Sequence, residues 1–179
     1  MKIGTRAMNQ NEYLPTKVLI PFFGKKKPII GVEIGVLGAS GTVAMLNRMP
    51  NLKIYGIDPW KHFPGRGFEA ERNQEWHNEM YEHSKNRVKE FGNRCILLRM
   101  TSDEALEHIK EKVDFVWIDG DHNEDQVRKD IVNWKTKLKD ISILGGHDWQ
   151  IDHIRKVVKE EIGDVETGDD FTWWKEIKK

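Results

Sequence analysis

Two short segments of this 179-residue chain concentrate side chains that can hold a cation or move a proton. One reads Trp117-Ile118-Asp119-Gly120-Asp121-His122 and the other Gly145-Gly146-His147-Asp148-Trp149. Each follows an apolar run of strand type, so each is expected at the carboxyl end of a β-strand. If the two strands are neighbours, their ends lie about 5 Å apart. Asp119, His147 and Asp148 can then converge on one divalent cation. Two carboxylates suit Mg²⁺, Mn²⁺ or Ca²⁺, and an imidazole moves the preference toward Mn²⁺ or a later metal. Such a cation would bind two substrate oxygens and lower the pKa of a hydroxyl. His122 falls three residues after Asp119, and an imidazole titrating at about 6.5 takes up a proton near neutrality. His122 is therefore the expected general base. Each residue alone has a plainer reading. Asp121 or Asn123 can cap the helix that begins near Glu124, and His147-Asp148 can be a simple loop. The convergence of two such segments favours chemistry.

A third segment, Glu33-Ile34-Gly35-Val36-Leu37-Gly38-Ala39-Ser40-Gly41, is a glycine-rich turn after an apolar run. Glycines spaced by three permit a tight turn and close approach of a ligand. The pattern is not the G-x-G-x-x-G of a dinucleotide site. A carboxylate at Glu33 would repel a pyrophosphate but welcome a cation. S-adenosylmethionine carries a sulfonium and an ammonium and no phosphate, so it fits. Asp58 ends the next apolar run, in Gly56-Ile57-Asp58-Pro59-Trp60, where an acid can accept hydrogen bonds from ribose hydroxyls. Its plainer reading is a turn residue before proline. Thr101-Ser102-Asp103-Glu104 fits a helix capping box, a role that leaves Thr101 or Ser102 able to face an adenine ring as well. The expected cofactor set is Glu33, Gly35, Gly38, Ser40, Asp58, Pro59, Trp60, Ser102 and Asp119.

The elements that must position these groups alternate. Strands are expected at 29–34, 52–57, 95–98, 113–118, 141–144 and 171–177. Helices are expected over 42–48, across Trp76, Met80, Val88 and Phe91, over 103–110, through Val127, Ile131, Trp134 and Leu138, and through Ile151, Ile154, Val157, Val158 and Ile162. Continuous apolar strands separated by amphipathic helices imply an α/β fold, a mostly parallel sheet covered on both faces. Ligands bind such sheets at the carboxyl ends of the strands, where all the segments above fall.

Composition narrows the partners. Lys+Arg and Asp+Glu each number 29, so there is no basic excess of the kind nucleic-acid binders show. Cys95 is the one cysteine and implies no disulfide framework. Apolar runs are shorter than a membrane span, and residues 1–17 lack a signal-peptide h-region. A soluble cytoplasmic protein with a small-molecule substrate is expected, without nucleic-acid or membrane partners. Lys25-Lys26-Lys27-Pro28 reads as a solvated turn. His62, His77, His83, His108 and His153 show no functional spacing and read as surface or core histidines. Trp134 reads as core. Of Trp173 and Trp174, one should face the core. Trp60 and Trp149 follow site segments and are candidates to touch ligand.

Together the four segments, from Val32 to Trp149, resemble the class I S-adenosylmethionine-dependent methyltransferases, and more narrowly methyltransferase family 24. That group is similar to catechol and macrolide-sugar O-methyltransferases. The resemblance implies a single Rossmann-like domain over 1–179 with a seven-stranded sheet whose last strand is antiparallel, a place that 171–177 would fill, with Asp164 to Thr167 as a short preceding edge strand. It implies metal ligands at Asp119, His147 and Asp148, although His147 stands where a carboxylate is usual. It implies a base at His122, where the catechol enzyme has lysine and the sugar enzymes have histidine. The N-terminal segment 1–28 and the insertion 61–75 would then cover the acceptor, the insertion suiting a lid, and a second subunit could complete a pocket so lightly covered. The expected reaction is metal-assisted O-methylation of a sugar, diol or phenol. Two other readings stand beside it. A nicotinamide dehydrogenase conflicts with the glycine pattern and with Glu33. A non-catalytic S-adenosylmethionine-binding or interaction domain leaves the Asp119/His122/His147/Asp148 group unexplained.

Overall fold

The computed structural model describes residues 14–64 and 72–179. Residues 65–71 of the expected lid, among them Gly65, Arg66, Gly67 and Phe68, and residues 1–13 of the N-terminal segment lie outside the described residues.

Among the described residues, seven strands form one sheet: β1 (Ile29–Ile34), β2 (Leu52–Ile57), β3 (Cys95–Leu98), β4 (Val113–Ile118), β5 (Leu138–Gly146), β6 (Glu166–Thr167) and β7 (Trp173–Lys178). Their order is β3-β2-β1-β4-β5-β7-β6, with the five strands from β3 to β5 parallel and β7 antiparallel to both its neighbours. The chain reverses direction across the sheet between β1 and β4, which opens a crevice at their carboxyl ends.

The helices are α1 (Ile20–Phe23), α2 (Ser40–Arg48), α3 (Gln74–Val88), α4 (Ser102–His108), α5 (Glu124–Lys135) and α6 (Asp152–Ile162). A single π-helical turn, Leu14–Leu19, precedes α1. Caps written in the sequence start several of them. Asn73 accepts the Trp76 N–H at the start of α3. At α4, Thr101 accepts the Glu104 N–H while the Glu104 carboxylate accepts the Thr101 N–H, the reciprocal pair expected from the sequence.

Alternation along the strands sends apolar side chains to two cores. Val116 and Ile118 join Val127, Ile131, Trp134, Ile154 and Val157 beneath α5 and α6. Phe115 and Trp117 join Leu19, Met45, Leu46 and Val88 beneath α1, α2 and α3. Helices therefore cover both faces, as the continuous apolar strands require. Full burial of a side chain such as Leu46 or Ile131 contributes about 1.5–3 kcal/mol.

The structure corrects one assignment and trims others. Leu138 is not on the helix with Trp134; it opens β5 and pairs with Val113. α5 stops at Lys135, where Lys137 N–H turns back to the Trp134 carbonyl, so the spacing from Trp134 to Leu138 only imitated a helical face. β5 is longer than the expected 141–144, the last strand begins at Trp173 rather than Phe171, and α4 ends at His108. Trp173 is the core member of the tryptophan pair. Among the described residues, no helix is long and apolar enough to cross a membrane.

Candidate functional site

A cavity of about 930 Å³ opens over the carboxyl ends of the parallel strands. From the glycine turn and β2, its wall takes Glu33, Gly35, Gly38, Ser40, Asp58 and Pro59. From the ends of β3, β4 and β5 it takes Ser102, Asp119, His122, His147 and Asp148. Eleven of the twelve residues singled out in the sequence thus face one space. Trp60 is the exception. It is 1% exposed, packs its ring against Tyr81 at 4.8 Å, and donates its indole N–H to the Leu37 carbonyl. Trp149 does not line the cavity either; its neighbour Gln150 does.

The turn after β1 is shaped by close approach. Gly35 has φ 91°, and a Cβ there would lie 2.0 Å from the Asp119 carbonyl oxygen. Leu37 and Ala39 are left-handed as well, with φ 46° and 58°. Asp58 holds this turn: one carboxylate oxygen accepts Leu37 N–H at 2.8 Å and the other accepts Trp60 N–H at 2.7 Å. The Val36 N–H also acts on this carboxylate, and of its four lone pairs one remains for a ligand hydroxyl. Burial raises the Asp58 pKa, and these N–H donors oppose the rise. Among the described residues, the left-handed non-glycines are Leu37, Ala39, Trp60, Asp148 and Phe171. Three of them line the cavity and the other two adjoin residues that do.

Glu33 is 4% exposed and accepts a hydrogen bond from the Thr42 hydroxyl. Burial pushes its carboxyl up to about 8 despite that bond. A cationic ligand group beside it would restore its ionisation.

At the end of β3, Ser102 donates to Asp130 Oδ1 at 2.5 Å, and Gln126 Nε2 donates to Asp130 at 3.1 Å and to Ser102 Oγ at 3.2 Å. Asp130 is 1% exposed, and burial pushes its pKa up to about 6. The sequence reading missed Asp130 and Gln126. The available signal was an acid lying among Val127, Ile131 and Trp134 on the apolar face of α5.

At the opposite end, β4 and β5 are neighbours in parallel register, with Ile118 beside Gly146. Asp119 and His147 therefore emerge side by side. Donor atoms of Asp119, His122 and Asp148 lie within 4.8 Å of one another. His122 Nε2 stands 2.7 Å from Asp148 Oδ2, at an angle that leaves this buried nitrogen without a well-formed hydrogen bond. His147 flanks the group, with Nδ1 3.3 Å from Asp148 Oδ1 and 3.9 Å from Asp119 Oδ1. Its Nε2 lies 2.8 Å from the Asp170 carbonyl. A carbonyl only accepts, so Nε2 carries the proton, and a neutral ring turns its Nδ1 lone pair toward the carboxylates. His153 Nε2 meets the His122 carbonyl at 2.8 Å and secures that loop.

The charges are coupled. Burial pushes Asp119 up to about 7. Burial alone would lower His147, but Asp148 and Asp119 outweigh it and bring it to about 9. The Asp148 carboxylate raises His122. Asp148 itself is held far below the usual carboxylate range, because His122 and His147 outweigh its burial. Two carboxylates and two imidazoles packed this closely, with a misaligned buried nitrogen among them, are a donor set suited to Mn²⁺ or Mg²⁺.

The α3 wall was not legible in the sequence. His77, Met80, His83 and Arg87 all line the cavity, although His77 and His83 read there as residues without a role.

Residues 32–149 match a family described as a methyltransferase domain. No curated protein matches the chain. Among solved structures, an O-methyltransferase from Bacillus cereus in complex with SAH superposes with a TM-score of 0.66 at 11% identity, covering 96% of this chain and 81% of that one. A precorrin-6y C5,15-methyltransferase from Geobacter metallireducens GS-15 gives 0.61 at 17% identity, covering 84% and 71%. A precorrin 8W decarboxylase from Methanobacterium thermoautotrophicum gives 0.54 at 16% identity, covering 89% and 82%. At these identities the likeness is one of fold: the Rossmann-like methyltransferase architecture expected from the sequence.

Proposed function

The chain belongs to the methyltransferase-domain family, and on that premise we propose that it is an S-adenosylmethionine-dependent O-methyltransferase acting on a small hydroxylated molecule. One observation carries this reading. A single cavity joins the acid-bearing glycine turn to the Asp119/His122/His147/Asp148 group, so a cofactor and an acceptor can meet in it. Its volume is near the upper end for small-molecule sites.

In this reading, Asp58 accepts a ribose hydroxyl and Ser102 borders the adenine. Glu33 faces the ammonium of the amino-acid tail, while Gly35, Gly38, Ser40 and Pro59 shape the trough. Trp60 braces the turn from behind. Asp119, His147 and Asp148 would hold a divalent cation, with the Asp170 carbonyl orienting the His147 ring. When bound, such an ion would supply acidity to the acceptor hydroxyl and offset the carboxylate charge that raises the His122 pKa. His122 then takes the hydroxyl proton. S-adenosylmethionine would supply an electrophilic methyl group for that oxygen, its sulfonium leaving as a neutral thioether. The acceptor class best suited to this group is a sugar or a vicinal diol or phenol, whose paired oxygens fit a shared cation.

Isothermal titration with S-adenosylhomocysteine, with Mn²⁺ or Mg²⁺ and then with chelator, tests the proposal. Micromolar binding, followed by labelled methyl transfer to one of these acceptors, is the expected result. Absence of binding under both conditions would overturn it.

A further inference from the structure

Arg87, on the last turn of α3, lines the cavity beside the glycine turn. Its Nη1 donates to the Gly38 carbonyl at 2.8 Å and to Ser40 Oγ at 2.7 Å. A guanidinium carries five N–H groups in one plane. Those two bonds use both hydrogens of Nη1. The edge formed by Nε and Nη2 has no acceptor, and Arg87 has no salt bridge, among the described residues.

The charge around the cavity is distributed unevenly. The acidic lining residues, among them Glu33, Asp58 and Asp119, come from strand ends and from α4 and α5. α3 contributes His77, Met80, His83 and Arg87 and no acid. A ligand with separated charges would therefore lie with its cation toward Glu33 and its anion toward α3. A planar guanidinium edge matches a carboxylate in two parallel hydrogen bonds, which a lysine cannot reproduce.

We propose that Arg87 is a specificity-determining residue that binds a carboxylate in the cavity, and that this carboxylate belongs to the amino-acid tail of the cofactor. The inference rests on the cofactor reading above. With the ribose at Asp58 and the ammonium at Glu33, the tail crosses the Gly35 turn toward Ser40, which Arg87 holds in the cavity wall. Once the ammonium beside it restores its ionisation, Glu33 repels the carboxylate. By holding Gly38 and Ser40 through Nη1, Arg87 also ties the shape of the turn to the recognition of the tail.

The test compares two ligands by titration calorimetry: S-adenosylhomocysteine, and its decarboxylated analogue, which keeps the ammonium and thioether. Charge-assisted hydrogen bonds of this kind give about a 10- to 100-fold preference for the carboxylate-bearing ligand in the unaltered protein. Arg87→Gln should reduce that preference to within about twofold. It should do so by weakening S-adenosylhomocysteine while leaving the analogue unchanged. Arg87→Lys, which keeps a cation but loses the planar edge, should fall between, and it carries the same comparison if Arg87→Gln does not fold. Equal weakening of both ligands would reduce Arg87 to a brace for the turn and overturn the proposal. An unchanged preference in Arg87→Gln, with turnover lost only on acceptors that bear a carboxylate, would assign the anion to the acceptor and also overturn it. If the unaltered protein binds neither ligand, the cofactor reading itself falls, and this inference falls with it. If it binds both without preference, only this inference falls.

Discussion

His122 Nε2 stands 2.7 Å from Asp148 Oδ2, so the loop after β4 and the loop after β5 meet through one imidazole and one carboxylate. If His122 is the base, removing its ring removes proton transfer and little else. His122→Ala should lower kcat by about 10²- to 10⁴-fold, while the Kd for S-adenosylhomocysteine changes less than about twofold. Single-turnover methyl transfer beside calorimetry separates the two quantities. A fully active variant would assign the proton elsewhere.

His147 should behave differently, because its Nε2 is committed to the Asp170 carbonyl and its Nδ1 faces both acids. His147→Ala should raise the Mn²⁺ concentration for half-maximal activity by about 10- to 100-fold, with much of the rate recovered at saturating metal. Titrating metal into chelator-treated protein reads this directly. Activity that survives exhaustive chelation would remove the ion from the mechanism.

Glu33 makes cofactor binding depend on pH. Its pKa of about 8 means that it is protonated near neutrality without ligand. An ammonium beside it favours the ionised form, so binding below pH about 8 releases a proton. The affinity for S-adenosylhomocysteine should therefore rise with pH, by up to tenfold per unit, and level off at about pH 8. Glu33→Gln should flatten this profile. Calorimetry in buffers of different ionisation enthalpy would count the proton. No release at pH 7 would place the ammonium away from Glu33.

Asp130 makes a stability prediction. Its folded pKa of about 6 lies above the ordinary carboxylate value, so the folded state holds its proton more tightly than the unfolded chain. The cost of ionising it in the interior grows as pH rises from about 4 to about 6 and then stays constant. Asp130→Asn still accepts from Ser102 and Gln126 and avoids that cost. It should be more stable than the unaltered protein by about 2–3 kcal/mol at pH 8, and the gain should vanish near pH 4. Urea unfolding at the two pH values checks both sign and window.

The sheet was legible in the sequence because β1, β2, β3 and β4 are short apolar runs bounded by turns, and their ends carried the acids and glycines that line the cavity. Leu138 was misread because a strand residue after a tight helix end can fall at helical spacing by chance. The α3 wall was hidden for another reason. His83 and Arg87 sit on a polar helix, and only its packing over the glycine turn turns one side of it toward ligand. Trp60 erred in the opposite sense, since its place after Asp58 suggested contact with ligand and its indole instead supports Leu37. Spacing along the chain locates strand ends well; it does not say which face of a distant helix will close over them.

The left-handed residues around the cavity have a consequence for attempts to harden the protein. Leu37, Asp148 and Phe171 each occupy a backbone conformation that costs a side chain of its kind on the order of 1–3 kcal/mol. Selection for heat tolerance would find its easiest gains there, by placing glycine or asparagine at those positions. Those gains would loosen the rim that shapes the ligand space. A library screened for thermostability alone should therefore drift toward tougher and less active variants, whereas one screened for both properties should leave Leu37, Asp148 and Phe171 untouched and collect its changes on the outer helices.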